Sequence, residues 1–230
     1  RPDPLKHLRM KKNRTPKNAK PAELIATIAT ARRILITGHV RPDGDSLGCM
    51  IALSHLLTRA GHAAVATADR GALGGPGFLR GVSRLMQPET TARKRFDLLI
   101  SLDCGSFDRL PEPIQPLART VPVINIDHHR TNTRFGTWNW IEDHVSSTAE
   151  LIWRLARKAG WPLDSLAAEA LWVALITDSG RFAYDQTTPA TLRCGADLLR
   201  YGVRTAYIND KIYCSFSQVT RPPESARWVS

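Results

Sequence analysis

Short apolar runs alternate along this chain with longer stretches in which apolar side chains recur every three or four residues. The first long stretch, 21–33, predicts a helix with Leu24, Ile25 and Ile28 on one face. The run Ile-Leu-Ile-Thr at 34–37 predicts a buried strand. A helix follows over 46–61, capped by Ser46, ended by Gly61 and carrying Met50, Ile51, Leu53, Leu56 and Leu57. Further strands are predicted over 63–68, 96–102 and 121–126, with 136–141 as a fifth. The Ser147-x-x-Glu150 spacing reads as a capping box that opens a helix running to Gly160, and another helix covers 165–176. Thr188-Pro189 opens one more, whose buried face carries Leu192, Leu198 and Leu199. The glycine-rich stretch 71–77 lacks the Lys-Ser or Lys-Thr of a phosphate-cradling loop and reads as a flexible connection. Strands alternating with helices predict an α/β fold, a three-layer αβα domain around a mostly parallel five-stranded sheet.

Sheets of this kind bind ligands beyond the carboxyl ends of their strands. Here those ends carry His39-x3-Asp43-Gly44-Asp45 after the first strand, Asp103 after the third and Asp127-His128-His129 after the fourth. Carboxylate oxygens with imidazole nitrogens suit hard to borderline divalent cations such as manganese, magnesium or zinc, and the lack of clustered thiols argues against a thiolate site. Two cations roughly 3.5–4 Å apart can clamp the attacking and leaving oxygens of a phosphoryl displacement, given a carboxylate that bridges them. Asp103, alone at the tip of its strand, is the natural bridge. Each residue also has an ordinary reading: Pro42-Asp43-Gly44 is turn chemistry, Asp103 could cap a loop, and Asp178 could end a helix before Gly180. Convergence at successive strand ends outweighs them.

Composition adds bounds. At 230 residues and 43% apolar, the chain can bury one substantial core. No apolar run approaches the roughly 18 residues that a membrane span needs, so a cytoplasmic protein with no membrane partner is expected. Cys49, Cys104, Cys194 and Cys214 are widely spaced, which points to reduced thiols rather than a zinc knuckle or disulfide framework. The net charge of +11 is uneven: residues 1–20 hold eight basic side chains against Asp3 alone, a local +7, leaving +4 for the remaining 210. The first reading of 1–20 is a basic disordered arm, and the alternative is a dedicated nucleic-acid arm.

The ordered set His39-x3-Asp43-Gly44-Asp45, Asp103, Asp127-His128-His129 and Asp178-Ser179-Gly180 resembles the four motifs of the DHH phosphoesterase superfamily. The run Ser146-Ser147-Thr148-Ala149-Glu150, and later Phe182, Thr187-Thr188 and Gly195-Ala196, fit the same pattern. Within it the chain most resembles the bifunctional oligoribonucleases that also dephosphorylate 3'-phosphoadenosine 5'-phosphate, over about residues 21–203. The resemblance implies two divalent metal ions, usually Mn2+, with Mg2+ or Zn2+ as alternatives. His39, Asp43 and Asp103 would hold one; Asp45, Asp103, His128 and Asp178 the other. Asp127 would orient this set, and His129 would face the scissile phosphate as the catalytic histidine. A water deprotonated between the metals would attack phosphorus in line. Arg130 and Arg181 adjoin the motifs as candidate substrate-binding residues, or as charged surface positions. His55, His62 and the tryptophans Trp138, Trp140, Trp153 and Trp172 read as packing or surface residues. Cys49, where the family often has serine, is expected to pack without a further role.

Relatives of this kind continue into a second, substrate-binding domain, so 204–230 is expected to be a linker or an incomplete remnant of one. The implied function is hydrolysis of short oligoribonucleotides or 3'-phosphoadenosine 5'-phosphate, impaired by lack of that domain; the sequence leaves the oligomeric state open, a homodimer included. The alternatives are a dinucleotide or pyrophosphate hydrolase, a truncated metal-binding domain without activity, and a nucleic-acid binder acting through the arm.

Overall fold

The computed structural model describes residues 18–73 and 75–214; most of the expected arm, 1–17, and the tail, 215–230, lie outside the described residues. Helix α1 (Pro21–Thr30) leads into strand β1 (Arg33–Thr37), then α2 (Gly44–Arg59) and β2 (Ala63–Thr67). Short 3-10 turns and α3 (Pro88–Ala92) cross to β3 (Leu98–Leu102), and α4 (Gln115–Ala118) precedes β4 (Val123–Asp127) and β5 (Trp138–Ile141). Helices α5 (Thr148–Ala159), α6 (Ser165–Asp178), α7 (Pro189–Leu199) and α8 (Thr205–Asn209) follow, with a π-helical turn over Asp210–Cys214. All strand pairs are parallel, in the order β2-β1-β3-β4-β5. The chain therefore leaves β1 in one direction and returns on its other side, which puts the switch point of the sheet between β1 and β3.

Alternation along the strands divides the core. Ile34, Ile36, Leu98, Ile100, Ile124 and Ile126 face the thick helical layer of α1, α2, α5 and α6, whereas Leu35, Leu99 and Val123 face a thinner layer with Leu110, Ile114 and Ala118. α2 and α6 are both buried along most of their length and lie against each other at unusually short range. A Cβ added at Gly48 would lie 2.3 Å from the Ala170 carbonyl oxygen and 2.9 Å from the Ala174 Cβ; one at Gly44 would lie 2.5 Å from Thr177 Oγ1. This Gly-x3-Gly step lets the two helix backbones approach.

Several local expectations shift, each for a visible reason. Helix α1 stops at Thr30 because the backbone N–H groups of Arg32 and Arg33 both donate to the Asp97 carboxylate and start the sheet. α2 begins two residues before Ser46: its cap is Asp43, whose Oδ1 accepts from the Ser46 N–H at 3.0 Å. Ser147 caps α5, but Glu150 reaches past it to Ser146, so the expected capping box is absent. Helix α7 buries Thr191, Cys194, Gly195 and Leu198, leaving Leu192 and Leu199 exposed. Its rotation is set where Thr191 Oγ1 donates to Glu150 at 2.7 Å. The stretch 71–77 contains parts of two 3-10 turns. Among the described residues no helix is long and apolar enough to cross a membrane.

Candidate metal centre

Strand register assembles the site. Thr37 pairs with Ser101, so His39, two residues on, comes level with Asp103; Leu102 pairs with Ile126, so Asp103 comes level with Asp127. Asp43 and Asp45 enter on the first turn of α2, and Asp178 on the last residue of α6. Because α2 and α6 touch through Gly44 and Gly48, those two helix ends meet above the sheet. Asp103 itself adopts φ +53°, a left-handed conformation that costs about 1–3 kcal/mol outside glycine and turns its carboxylate inward.

Ligand atoms gather in three overlapping groups, each with all atoms within 4.8 Å of one another: His39, Asp43 and Asp103; Asp45, His128 and Asp178; and Asp103, His128 and His129. Asp103 links them with its two oxygens. Oδ2 lies 3.7 Å from His39 Nε2, and Oδ1 lies 3.6 Å from His128 Nε2. His39 and His128 each turn Nδ1 towards a backbone carbonyl, Val40 at 2.8 Å and Val145 at 3.4 Å, which leaves Nε2 of both facing carboxylates. That is how an imidazole is oriented for a cation. His128 Nε2 has Asp178 Oδ2 at 2.9 Å and Asp45 Oδ2 at 3.7 Å, yet it is buried without an aligned hydrogen bond to any of them. A cation shared with several oxygens, rather than any one oxygen, suits this nitrogen.

Electrostatics point the same way. Burial and then the charge of Asp43 push the Asp103 carboxyl up to about 7, and burial with the charges of Asp103 and Asp178 raises Asp45 well above the carboxylate range. Burial opposes charge on His128, but the Asp178 carboxylate 2.9 Å away, with Asp45 and Asp103, holds its imidazolium up to about 10. So many carboxylates in one buried place repel unless positive charge sits among them, and a divalent cation supplies it more compactly than protons do. The residues present fit bound divalent cations.

Asp127 differs. Its Oδ1 accepts from His129 Nδ1 at 2.7 Å and from the His128 N–H at 2.8 Å, and its Oδ2 from Asn132 Nδ2 at 2.5 Å. Burial works against ionisation, but these bonds hold its carboxyl below the usual range, and His129 in turn is raised by Asp127. Asp127 thus holds the His129 ring through Nδ1, and that ring is 39% exposed.

The arginines are less engaged. Arg130 is exposed and makes no ion pair among the described residues, and the Arg181 guanidinium stacks 4.5 Å from the centre of the Tyr213 ring. His55 pairs with Asp164 at 2.8 Å, away from the site. The four tryptophans pack in or against the core, as expected. Cys49 is a correction: its thiol donates to Asp45 Oδ1 at 3.3 Å. Sequence reasoning also missed Asn132, and it took Ser147 and Thr148 only as helix-openers; their side chains turn into the acidic cluster, a direction that no spacing rule reveals.

The fold and the site together define a parallel α/β domain with a carboxylate–imidazole centre at the switch point of its sheet. The model of the DHH family, N-terminal domain, matches residues 33–175, and the chain belongs to this family. It is 32% identical over 182 residues to the bifunctional oligoribonuclease and PAP phosphatase NrnA of Thermus thermophilus, covering 78% of this chain and 53% of that protein. It is 27% identical over 196 residues to the NrnA of Bacillus subtilis, covering 83% and 60%. The chain thus spans little more than half the length of these relatives. Among solved structures, an exopolyphosphatase-related protein from Bacteroides fragilis superposes with a TM-score of 0.75 at 22% identity, over 88% of this chain and 61% of that one, which shows the shared fold.

Proposed function

We propose that this chain is a metal-dependent phosphoesterase of the oligoribonuclease and 3'-phosphoadenosine 5'-phosphate phosphatase type, working with two divalent cations, most suitably Mn2+. The observation that carries the reading is the split of Asp103 between two ligand groups, Oδ2 towards His39 and Oδ1 towards His128. His39, Asp43 and Asp103 would hold one cation, and Asp45, Asp103, His128 and Asp178 the other. When bound, the cations would supply a water of lowered pKa and neutralise phosphoryl charge. Family membership and the named relatives support the substrate class.

The chain's own residues do the rest. His129, its Nδ1–H held by Asp127, presents Nε2 to the scissile phosphate, to donate to a non-bridging oxygen or to protonate the leaving oxygen. Asn132 keeps Asp127 in place from behind. Arg130, next to His129, and Arg181, three residues after Asp178, are candidate phosphate contacts. Within this reading residues 21–203 form the DHH domain and 204–230 the approach to a second domain that completes substrate binding.

The test compares Mn2+-dependent turnover of a diribonucleotide, 3'-phosphoadenosine 5'-phosphate and inorganic pyrophosphate by wild type and His129→Gln. The expected result is turnover of the first two, reduced about 10²–10⁴-fold in the variant. Uniformly faster pyrophosphate turnover would make the chain a pyrophosphatase instead. Tight Mn2+ binding with every phosphoester left intact would make it a binding domain.

A further inference from the structure

The start of helix α5 lies against the acidic cluster, and its polar groups point into that cluster. Ser147 Oγ donates to Asp45 Oδ1 at 2.8 Å, the Thr148 N–H donates to Asp45 Oδ2 at 2.8 Å, and Thr148 Oγ1 donates to Asp103 Oδ1 at 3.2 Å. Both residues are fully buried. We propose that Thr148 is a positioning residue that ties the two ligand groups together, fixing which oxygen lone pairs of Asp45 and Asp103 remain available to cations.

A carboxylate offers about four acceptor positions. On Asp45, Oδ1 is taken by Ser147 Oγ and Cys49 Sγ and Oδ2 by the Thr148 N–H, so one position on Oδ2 is left, on the oxygen nearest His128 Nε2. On Asp103, the Thr148 hydroxyl takes one position of Oδ1; the other serves the His128 side, and Oδ2 serves His39. Among the described residues, Thr148 alone donates to both carboxylates, through its backbone to one and its side chain to the other. The turn that presents it is itself anchored, because Glu150 Oε1 accepts from the Ser146 N–H and hydroxyl and from Thr191 Oγ1. A threonine here acts on cations it would not touch, as partners behind metal ligands do.

The inference rests on the divalent-cation reading of the site, and the experiment separates the two. Mn2+ is titrated into wild type, Thr148→Val and Thr148→Ser while electron paramagnetic resonance follows free Mn2+ and the signature of paired bound ions. Wild type should bind two; failure there ends the cation reading itself. Thr148→Val keeps the N–H and the shape but loses the hydroxyl, and should bind at least one ion about 10–100-fold more weakly, with an altered paired signature. Thr148→Ser should restore both. A valine variant equal to wild type in affinity and signature overturns the inference, as does a serine variant as weak as valine. If Thr148→Val does not fold, Thr148→Ala, which adds no bulk, is read by the same criteria.

Discussion

Gly48→Ala separates local helix preference from tertiary packing, because the two predict opposite signs. Gly48 lies inside α2, where alanine is favoured over glycine by about 0.8–1 kcal/mol in helix propensity alone. The new methyl would meet the Ala170 carbonyl oxygen at 2.3 Å, the Ala174 Cβ at 2.9 Å and the Ala174 backbone nitrogen at 3.2 Å. Two of these atoms are backbone in α6 and cannot swing aside, so relief needs the helices to part by roughly 1 Å, against an ordinary contact of about 3.5 Å. Overpacking of this kind costs about 1–3 kcal/mol; with backbone on the far side we take its upper half and, after the propensity gain, expect net destabilisation of about 1–2 kcal/mol. For a domain this size that lowers the thermal midpoint by about 2–8 °C. The same parting moves Asp178 away from Asp45, and ligand geometry tolerates only about 0.2 Å. Mn2+ affinity should therefore fall as well. Denaturant and thermal unfolding, with a Mn2+ titration, measure both. A variant as stable as wild type or more so, with unchanged Mn2+ affinity, would refute close helix packing as the device that joins Asp178 to the site.

Two further outcomes follow from charge. A Mn2+ concentration about 100-fold above the dissociation constant should stabilise the fold by about 2.7 kcal/mol, reversed by a chelator; a melting curve indifferent to both would count against the cation reading. Asp164 caps α6 and pairs with His55 and Arg59; burial opposes its ionisation, but the His55 bond, the Ala167 N–H and Arg59 hold it at about 2. A depressed carboxyl contributes stability above its unfolded value near 4, and that contribution is lost as the pH falls through about 2. Asp164→Asn keeps a capping side chain without the charge, so wild type should lose more stability than the variant between pH 4 and pH 2. Parallel losses in the two proteins would remove Asp164 from the account of acid sensitivity.

Much of this was legible along the chain. Five apolar runs with helices between them specify a parallel sheet, and in such a sheet residues just past strand ends share one edge. His39, Asp103, Asp127, His128 and His129 follow from that rule, since a strand end is a local property and register then aligns neighbours. Asp178 is different: it reaches the cluster because Gly44 and Gly48 let α6 lie close on α2, and a glycine's empty side is visible only when its neighbour is in place. Likewise Ser147, Thr148 and Cys49 read as caps or filler in one dimension, and Asn132 carries no signal there at all. Their hydrogen bonds to Asp45, Asp103 and Asp127 depend on which way a side chain turns at the junction of separate elements. Periodicity fixes which face of an element is buried; the partner buried there, and the direction of each polar group towards it, are set by long-range packing. Even the face failed once, at α7, where the bond from Thr191 to Glu150 turned Leu192 and Leu199 outward.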